Sequence, residues 1–239
     1  MLIIGRNPVL EALRGGGRVS KLYLRFGVHG ESVMELQRLA RARRIPAVVL
    51  PKQKFDRLGN VLHSQGIAAL VEDAQILELD ELLARNVEQD PPFLAALDSI
   101  KDPHNLGAIM RTAVCAGAHG IVLPQRDTAM INETVAKASA GAAGLLPAAR
   151  VASLPQALEV IKEHGIWIIG LAGDGDTDLF SFDGARPVCV VIGSERGMRP
   201  IVRKRCDDVV RIPMWGEVDS LNASVAAALM FYEIRRSRL

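Results

Sequence analysis

The chain has 239 residues, 49% hydrophobic and 4% aromatic, with 29 Lys and Arg against 27 Asp and Glu for a net charge of +2. That length supplies one large core, or a full domain with a smaller companion, while so few aromatics leave little material for RNA recognition by rows of stacking rings. No run approaches the roughly 18 apolar residues of a membrane span, and MLIIGRNPVLEALR lacks the basic and apolar regions of a secretory signal, so a cytoplasmic protein without a membrane partner is expected.

Asn7 and Pro8 fit an N-cap and first helical position for a short helix through about Leu13, ended by Gly15, Gly16 and Gly17. Val19–Leu24 reads as a strand, Glu31–Arg44 as an amphipathic helix, and Ala47–Leu50 and Gly66–Val71 as strands, together a small α/β unit over residues 1–75. Residues 76–92 form an acidic connector closed by Pro91 and Pro92, with room for a short helix. From Phe93 the pattern alternates. Strands are expected at Phe93–Leu97, Gly120–Leu123, Ile166–Leu171, Val188–Gly193 and Val209–Pro213. Helices are expected at Leu106–Ala116, Asn132–Ala140, Leu154–His164, Met198–Arg205 and Leu221–Arg236. Short apolar strands alternating with helices predict a parallel sheet covered on both faces, with ligands outside the carboxyl ends of its strands.

Charge is unevenly distributed. Residues 1–75 carry 12 Lys and Arg and 6 Asp and Glu, and the remainder carries 17 and 21. The basic first third is either a docking surface for a polyanion or a solvated Arg-rich face. Cys115, Cys189 and Cys206 are widely spaced and mostly set in apolar runs, which reads as reduced packing residues. No zinc spacing occurs. Asp174, Asp176 and Asp178 imitate a calcium loop whose glycine and glutamate positions hold Leu179 and Ala185, so no metal is expected. Nor does a G-x-G-x-x-G turn follow Leu97, as it would in a Rossmann-type methyltransferase.

Three blocks stand out. In residues 97–124, Arg111 is the only charged side chain between His104 and His119, on a helix rich in apolar and small residues. A guanidinium there needs a carboxylate, an anionic ligand or an outlet to solvent, and Asn105 is placed to cap the helix. Residues 188–200 give a buried strand, a turn at Gly193-Ser194 and the carboxylate of Glu195. Residues 209–236 give a strand ending at Ile212-Pro213-Met214, a polar turn through Asp219 and Ser220, and an Ala-rich helix suited to close packing or simply to good helix formation.

Together, and in this order, Asn105 to Arg111, Gly193 to Glu195, Ile212 to Met214 and Ser220 to Ser224 resemble the three motifs of the SpoU (TrmH) branch of the SPOUT methyltransferases. The resemblance covers residues 93–239. Residues 1–75, with GRNPVLEAL and HSQGIAALVE, resemble the ribosomal-protein-like (L30e-like) substrate-binding domain of family members that methylate a guanosine ribose in large-subunit rRNA. It implies an α/β fold with a SPOUT-type parallel sheet and a C-terminal deep trefoil knot, an exception to the rule against knots. It also implies a homodimer packed through the knot domain and S-adenosylmethionine as cofactor, released as S-adenosylhomocysteine. Carried over, the cofactor-binding residues are Leu171, Ala172 and Gly173, then Gly193, then Ile212 and Met214, then Leu221. The catalytic set is Arg111, Glu195, Asn105, Ser220 and Asn222.

One departure from the family pattern is plain: only Arg196 separates Glu195 from Gly197, where many members have two residues. In the family the residue matching Arg111 is proposed as the base for the ribose 2′-hydroxyl. A guanidinium is effectively never deprotonated in proteins, so a phosphate clamp that also stabilises the developing oxyanion is the better expectation. Glu195 then orients Arg111 or the hydroxyl, with Glu195 as base the competing version. Two alternatives stay open: a tRNA substrate, and an RNA- or ribosome-binding protein without catalysis.

Overall fold

The chain divides into two units: Met1–Ala74 with Ile131–Leu145, and Gln75–Met130 with Leu146–Leu239. The computed structural model describes residues 1–15, 18–59, 61, 64–85 and 90–239. Gly16, Gly17, His63 and residues 86–89 of the acidic connector therefore lie outside the described residues.

The first unit runs β1 (Leu2–Ile4), α1 (Arg6–Arg14), β2 (Val19–Arg25), α2 (Glu31–Ala42), β3 (Ala47–Leu50), α3 (Lys52–Phe55) and β4 (Ile67–Val71). Its strands lie in the order β1–β4–β2–β3, antiparallel except for β2 with β3. The two longer helices bury one face each, Val9, Leu10 and Leu13 from α1 and Val33, Leu36 and Ala40 from α2, against Leu22, Leu24, Ile67 and Ala69. Asn7 does not cap α1: Gly5 holds that position, and Asn7 falls inside the first turn.

The second unit opens with β5 (Ile76–Leu77) and α4 (Leu79–Leu83). It continues through β6 (Phe93–Asp98), α5 (Pro103–Cys115) and β7 (Gly120–Pro124). The chain then lends α6 (Glu133–Ala138) to the first unit. It returns as β8 (Ala148–Val151), α7 (Leu154–Glu163), β9 (Trp167–Leu171), β10 (Thr177–Asp178), β11 (Val188–Gly193), α8 (Pro200–Arg203), β12 (Asp208–Arg211) and α9 (Ala223–Arg236). The sheet order is β10–β12–β9–β11–β6–β7–β8–β5, and every neighbouring pair is parallel. Strands β6, β7 and β11 are buried along their whole length, as strands covered on both faces must be.

Several elements differ from the pattern-based expectation for physical reasons. Residues 76–92 are more than a connector: Ile76 and Leu77 pair with Ala148 and Ala149 at the sheet edge, and buried Leu82 packs over Gly120. Strand β8 was not expected, because Ala148, Ala149 and Arg150 carry little strand propensity and register is supplied by β7 and β5. The helix expected at Met198–Arg205 starts only at Pro200, which fixes the first helical position. The strand expected to reach Pro213 ends at Arg211. Cys189 is buried and Cys206 partly so, but Cys115 is exposed on α5 and is no packing residue. Among the described residues no helix is long and apolar enough to cross a membrane.

Candidate active site

The path of the chain through the second sheet marks where a ligand fits. From β6 the chain moves outward through β7 to β8; from β11 it moves the other way, to β12. The crevice at the carboxyl ends of β6 and β11 is therefore the topological switch point. Strand β6 ends there at Asp98, which is fully buried, and β11 ends beside it at Gly193. Both carboxylate oxygens of Asp98 are engaged. The Arg199 backbone amide donates to Oδ2 and the Arg199 Nε to Oδ1, each at 2.7 Å. A buried carboxylate needs such pairing, and here the pairing fixes the loop after β11 onto the end of β6.

That loop is a tight turn. The Gly197 amide donates to the Ser194 carbonyl at 2.8 Å, and Ser194 and Gly197 form an isolated antiparallel bridge. Gly197 takes φ +81°, a conformation that favours glycine, so the short Glu195-Arg196 link closes as a compact turn with both side chains exposed. Gly193 at its base is required sterically. A Cβ there would lie 2.5 Å from the Gly197 carbonyl carbon and 2.6 Å from the Met198 nitrogen.

On one side of this turn lies a cleft of about 390 Å³. The ends of β9 and β11 supply Leu171, Ala172, Gly173 and Gly193, and the segment after β12 supplies Ile212, Met214, Ser220 and Leu221. Every residue expected to bind the cofactor lines this one space. Polar and apolar surface share its lining about equally, and its charged groups are Asp174, Glu195 and Asp219 against Arg196 and Arg203. Arg203 donates to Asp174 at 2.6 Å and holds that carboxyl below the usual carboxylate range. Asp178, in the same calcium-like run, is likewise engaged locally, accepting from the Phe180 amide at 3.0 Å. A cleft of this size with a slight acidic excess fits a net-cationic ligand such as S-adenosylmethionine.

The three motifs meet at Asn105. This side chain, 9% exposed, donates from Nδ2 to Glu195 Oε1 at 3.3 Å and accepts at Oδ1 from Asn222 Nδ2 at 3.0 Å. Asn222 in turn caps α9, its Oδ1 accepting from the Ser224 amide at 2.9 Å. One buried amide thus bridges a carboxylate on the β11 turn and the N-terminus of the last helix, from positions 90 and 117 residues away. Asn105 does not cap α5 as the sequence suggested. Asp102 does, accepting from the His104 amide at 2.9 Å with Pro103 at the first helical position, and this turns Asn105 inward.

Arg111 lies elsewhere on α5. Six residues carry it about 9 Å along the axis and roughly 120° around it from Asn105. It is exposed, which is one of the outcomes its apolar neighbours allowed. The structure therefore gathers Asn105, Glu195 and Asn222 into one hydrogen-bonded chain, sets Ser220 on the cleft wall, and leaves Arg111 on an outer face of the same helix. Asp98 and Arg199 escaped notice in the sequence. The signal was a single carboxylate ending an otherwise apolar strand.

The comparisons with known proteins agree with this geometry. The model of the SpoU rRNA Methylase family matches residues 92–232, and that of the RNA 2′-O ribose methyltransferase substrate-binding domain matches residues 2–77. A TrmH family tRNA/rRNA methyltransferase of Bacillus subtilis (strain 168), YacO, is 42% identical over 99% of this chain and 95% of its own length. An uncharacterized tRNA/rRNA methyltransferase of Mycobacterium leprae (strain TN) is 43% identical over 99% of this chain and 77% of its own. Among solved structures, the SpoU methyltransferase AviRb of Streptomyces viridochromogenes, in complex with AdoMet, superposes with a TM-score of 0.73 at 28% identity, covering all of this chain and 90% of that one. With family models spanning both parts of the chain and relatives of this identity along its whole length, the chain belongs to the SpoU (TrmH) family of S-adenosylmethionine-dependent RNA 2′-O-ribose methyltransferases.

Proposed function

We propose that this chain methylates the ribose 2′-hydroxyl of a guanosine in large-subunit rRNA, as its two-domain resemblance to family members with that substrate suggests. The observation that carries the reaction is the Asn222–Asn105–Glu195 chain standing beside the cleft that holds all the cofactor-binding candidates. Bound there, S-adenosylmethionine would supply a methyl group already activated on a sulfonium.

The remaining work belongs to the protein. Gly193, Leu171 to Gly173, Ile212, Met214 and Leu221 hold the cofactor, largely through backbone. Asn105 and Asn222 fix Glu195, which orients the 2′-hydroxyl, and Ser220 holds the substrate by a hydrogen bond. Holding the acceptor oxygen in line supplies several kcal/mol by orientation alone. Arg111, which this chain sets on an outer face of α5 away from that hydrogen-bonded chain, is assigned the neighbouring phosphate, with the hydroxyl proton leaving to phosphate or water. Arg111→Lys retaining full turnover with unchanged RNA binding would overturn the bidentate clamp.

The same reading includes an RNA-binding role for residues 1–75, the family's trefoil knot and its homodimer, in the cytoplasm. An exposed stripe on α9, Val225, Leu229 and Tyr232, supports the dimer. Labelled methyl transfer into total RNA, followed by mapping of the modified nucleotide, tests the proposal. Label in a large-subunit rRNA guanosine ribose is expected. Label in tRNA or on a base would overturn the substrate, and absence of any transfer with intact cofactor binding would overturn the activity.

A further inference from the structure

A second cleft, of about 690 Å³, opens on the other side of the Ser194–Gly197 turn. Its walls are the loop leaving β6 and the loop leaving β11, so it occupies the switch point itself, and Asn105 and Glu195 line it. Its charge is the reverse of the first cleft: Lys101, Arg196 and Arg199 face it, against Asp102 and Glu195. No aromatic side chain lines it, which suits contact with a sugar-phosphate backbone better than stacking on bases.

The positive patch extends sideways along the same edge of the sheet. Arg126 lies in the loop leaving β7, the strand next to β6, and is exposed. Asp127 beside it bonds Lys101 Nζ at 3.0 Å. Its carboxyl is held below the ordinary value, first by that hydrogen bond and by the Lys101 charge, and further by Arg199 and Arg126. One carboxylate therefore sits among three cations drawn from three adjacent strands, β11, β6 and β7. Exposed pairs such as Lys101–Asp127 hold weakly, so a polyanion can displace the carboxylate. Arg199 is steadied from below by buried Asp98 while its side chain stays 45% exposed.

Resting on the reading of the site as an RNA methyltransferase, we infer that Lys101, Arg126, Arg196 and Arg199 form a phosphate track across the carboxyl edge of the sheet. The RNA strand lies along it, and Glu195 stands where the strand meets the cofactor cleft. The methyltransferase unit thus grips the backbone near its target with its own cations, in addition to whatever the basic first unit holds. Such contacts are independent of sequence and are read in the salt dependence of binding.

The test is binding of a mixed-sequence single-stranded RNA of about 20 nucleotides to the full chain over a range of salt, with S-adenosylmethionine affinity measured by calorimetry in parallel. Each lost contact should lower the slope of log K against log salt by about 0.7, so Lys101→Gln with Arg126→Gln should lower it by about 1.4. Cofactor affinity should stay within about twofold, because neither residue lines the first cleft. Asp127→Asn should act in the opposite direction, tightening RNA several-fold and leaving the cofactor unchanged. An unchanged slope in the double variant, or weaker RNA binding by Asp127→Asn, would overturn the track. A wild-type chain that binds no RNA removes both the track and the function proposed above. One that binds RNA with the expected slopes and methylates none leaves the track standing and removes the function.

Discussion

The two clefts on either side of the Ser194–Gly197 turn share five residues and have opposite electrostatic character. One carries a small acidic excess, the other a small basic excess, Lys101, Arg196 and Arg199 against Asp102 and Glu195. The difference follows from what surrounds each. The first is built where β9, β11 and the chain after β12 close together, with Asp174 and Asp219 on its rim. The second is built where β6 and β11 part company, so their loops diverge and long charged side chains reach into the gap. A single turn can serve both because Asp98 ties it down below and Asn105 braces its carboxylate from the side. On the proposed reading, a cationic methyl donor and an anionic strand would lie on separate sides of the carboxylate between them.

The strongest way to break this contrast is at the turn's base. Gly193→Ala forces a Cβ onto backbone at 2.5 Å, and should lower S-adenosylmethionine affinity by about 100-fold or more by calorimetry. Near-normal affinity would mean that the close backbone approach does not shape the first cleft. Asn105→Ala removes both bonds of the bridging amide while touching neither ligand's main contacts. Turnover should fall about 100-fold with cofactor affinity little changed, as for the loss of a positioned hydrogen-bonding group. An equal loss of cofactor affinity would show that the Asn105 bridge shapes the first cleft and does not act on Glu195 alone.

Smaller effects sharpen the contrast. Arg199→Ala leaves Asp98 buried without its guanidinium. Because Arg199 is half-exposed, the expected loss is about 2 kcal/mol in urea unfolding, below the range for fully buried pairs. Retained stability would show the backbone amide to be a sufficient partner. The smallest change lies at the opposite edge of the sheet, where the His119 Nδ1 accepts from the Phe93 amide at 3.0 Å. Burial lowers the imidazole pKa from 6.5; Asp90 opposes this, and Arg238 and Arg235 add to it. The unfolded chain therefore takes up the proton first as pH falls. Stability should be full above about pH 6.5 and decline as pH drops through the folded value. His119→Gln should flatten that decline in melts between pH 7 and 5 and alter neither cleft; an unchanged slope would place the acid sensitivity elsewhere.

Much of the scaffold was legible in the chain because apolar runs such as Phe93–Leu97 and Val188–Gly193 announce buried parallel strands without help from neighbours. Edge elements were not. Leu2–Ile4, Ile76–Leu77 and Ala148–Val151 are strands only because a partner strand supplies their register. The residues expected to bind the cofactor come from motif resemblance, and their convergence on one cleft follows from the parallel topology. For Arg111 the sequence left solvent exposure open, and it is exposed; Asn105, expected as a cap, is instead buried and bridging. The reason is local. Asp102 takes the cap, which rotates the helix so that Asn105 faces the sheet.

From its own residues the chain determined its family, its alternating α/β build and the identity of the groups around its site, since these rest on composition, period and motif order. Tertiary structure alone decided that Asp98 would anchor Arg199, that Asn105 would join Glu195 to Asn222, and that one turn would separate an acidic cleft from a basic one. Those contacts span 90 to 117 residues of sequence, and no local pattern carries information over that distance. They exist because a parallel sheet brings the ends of distant strands to one edge, where charge and hydrogen bonding must be satisfied together.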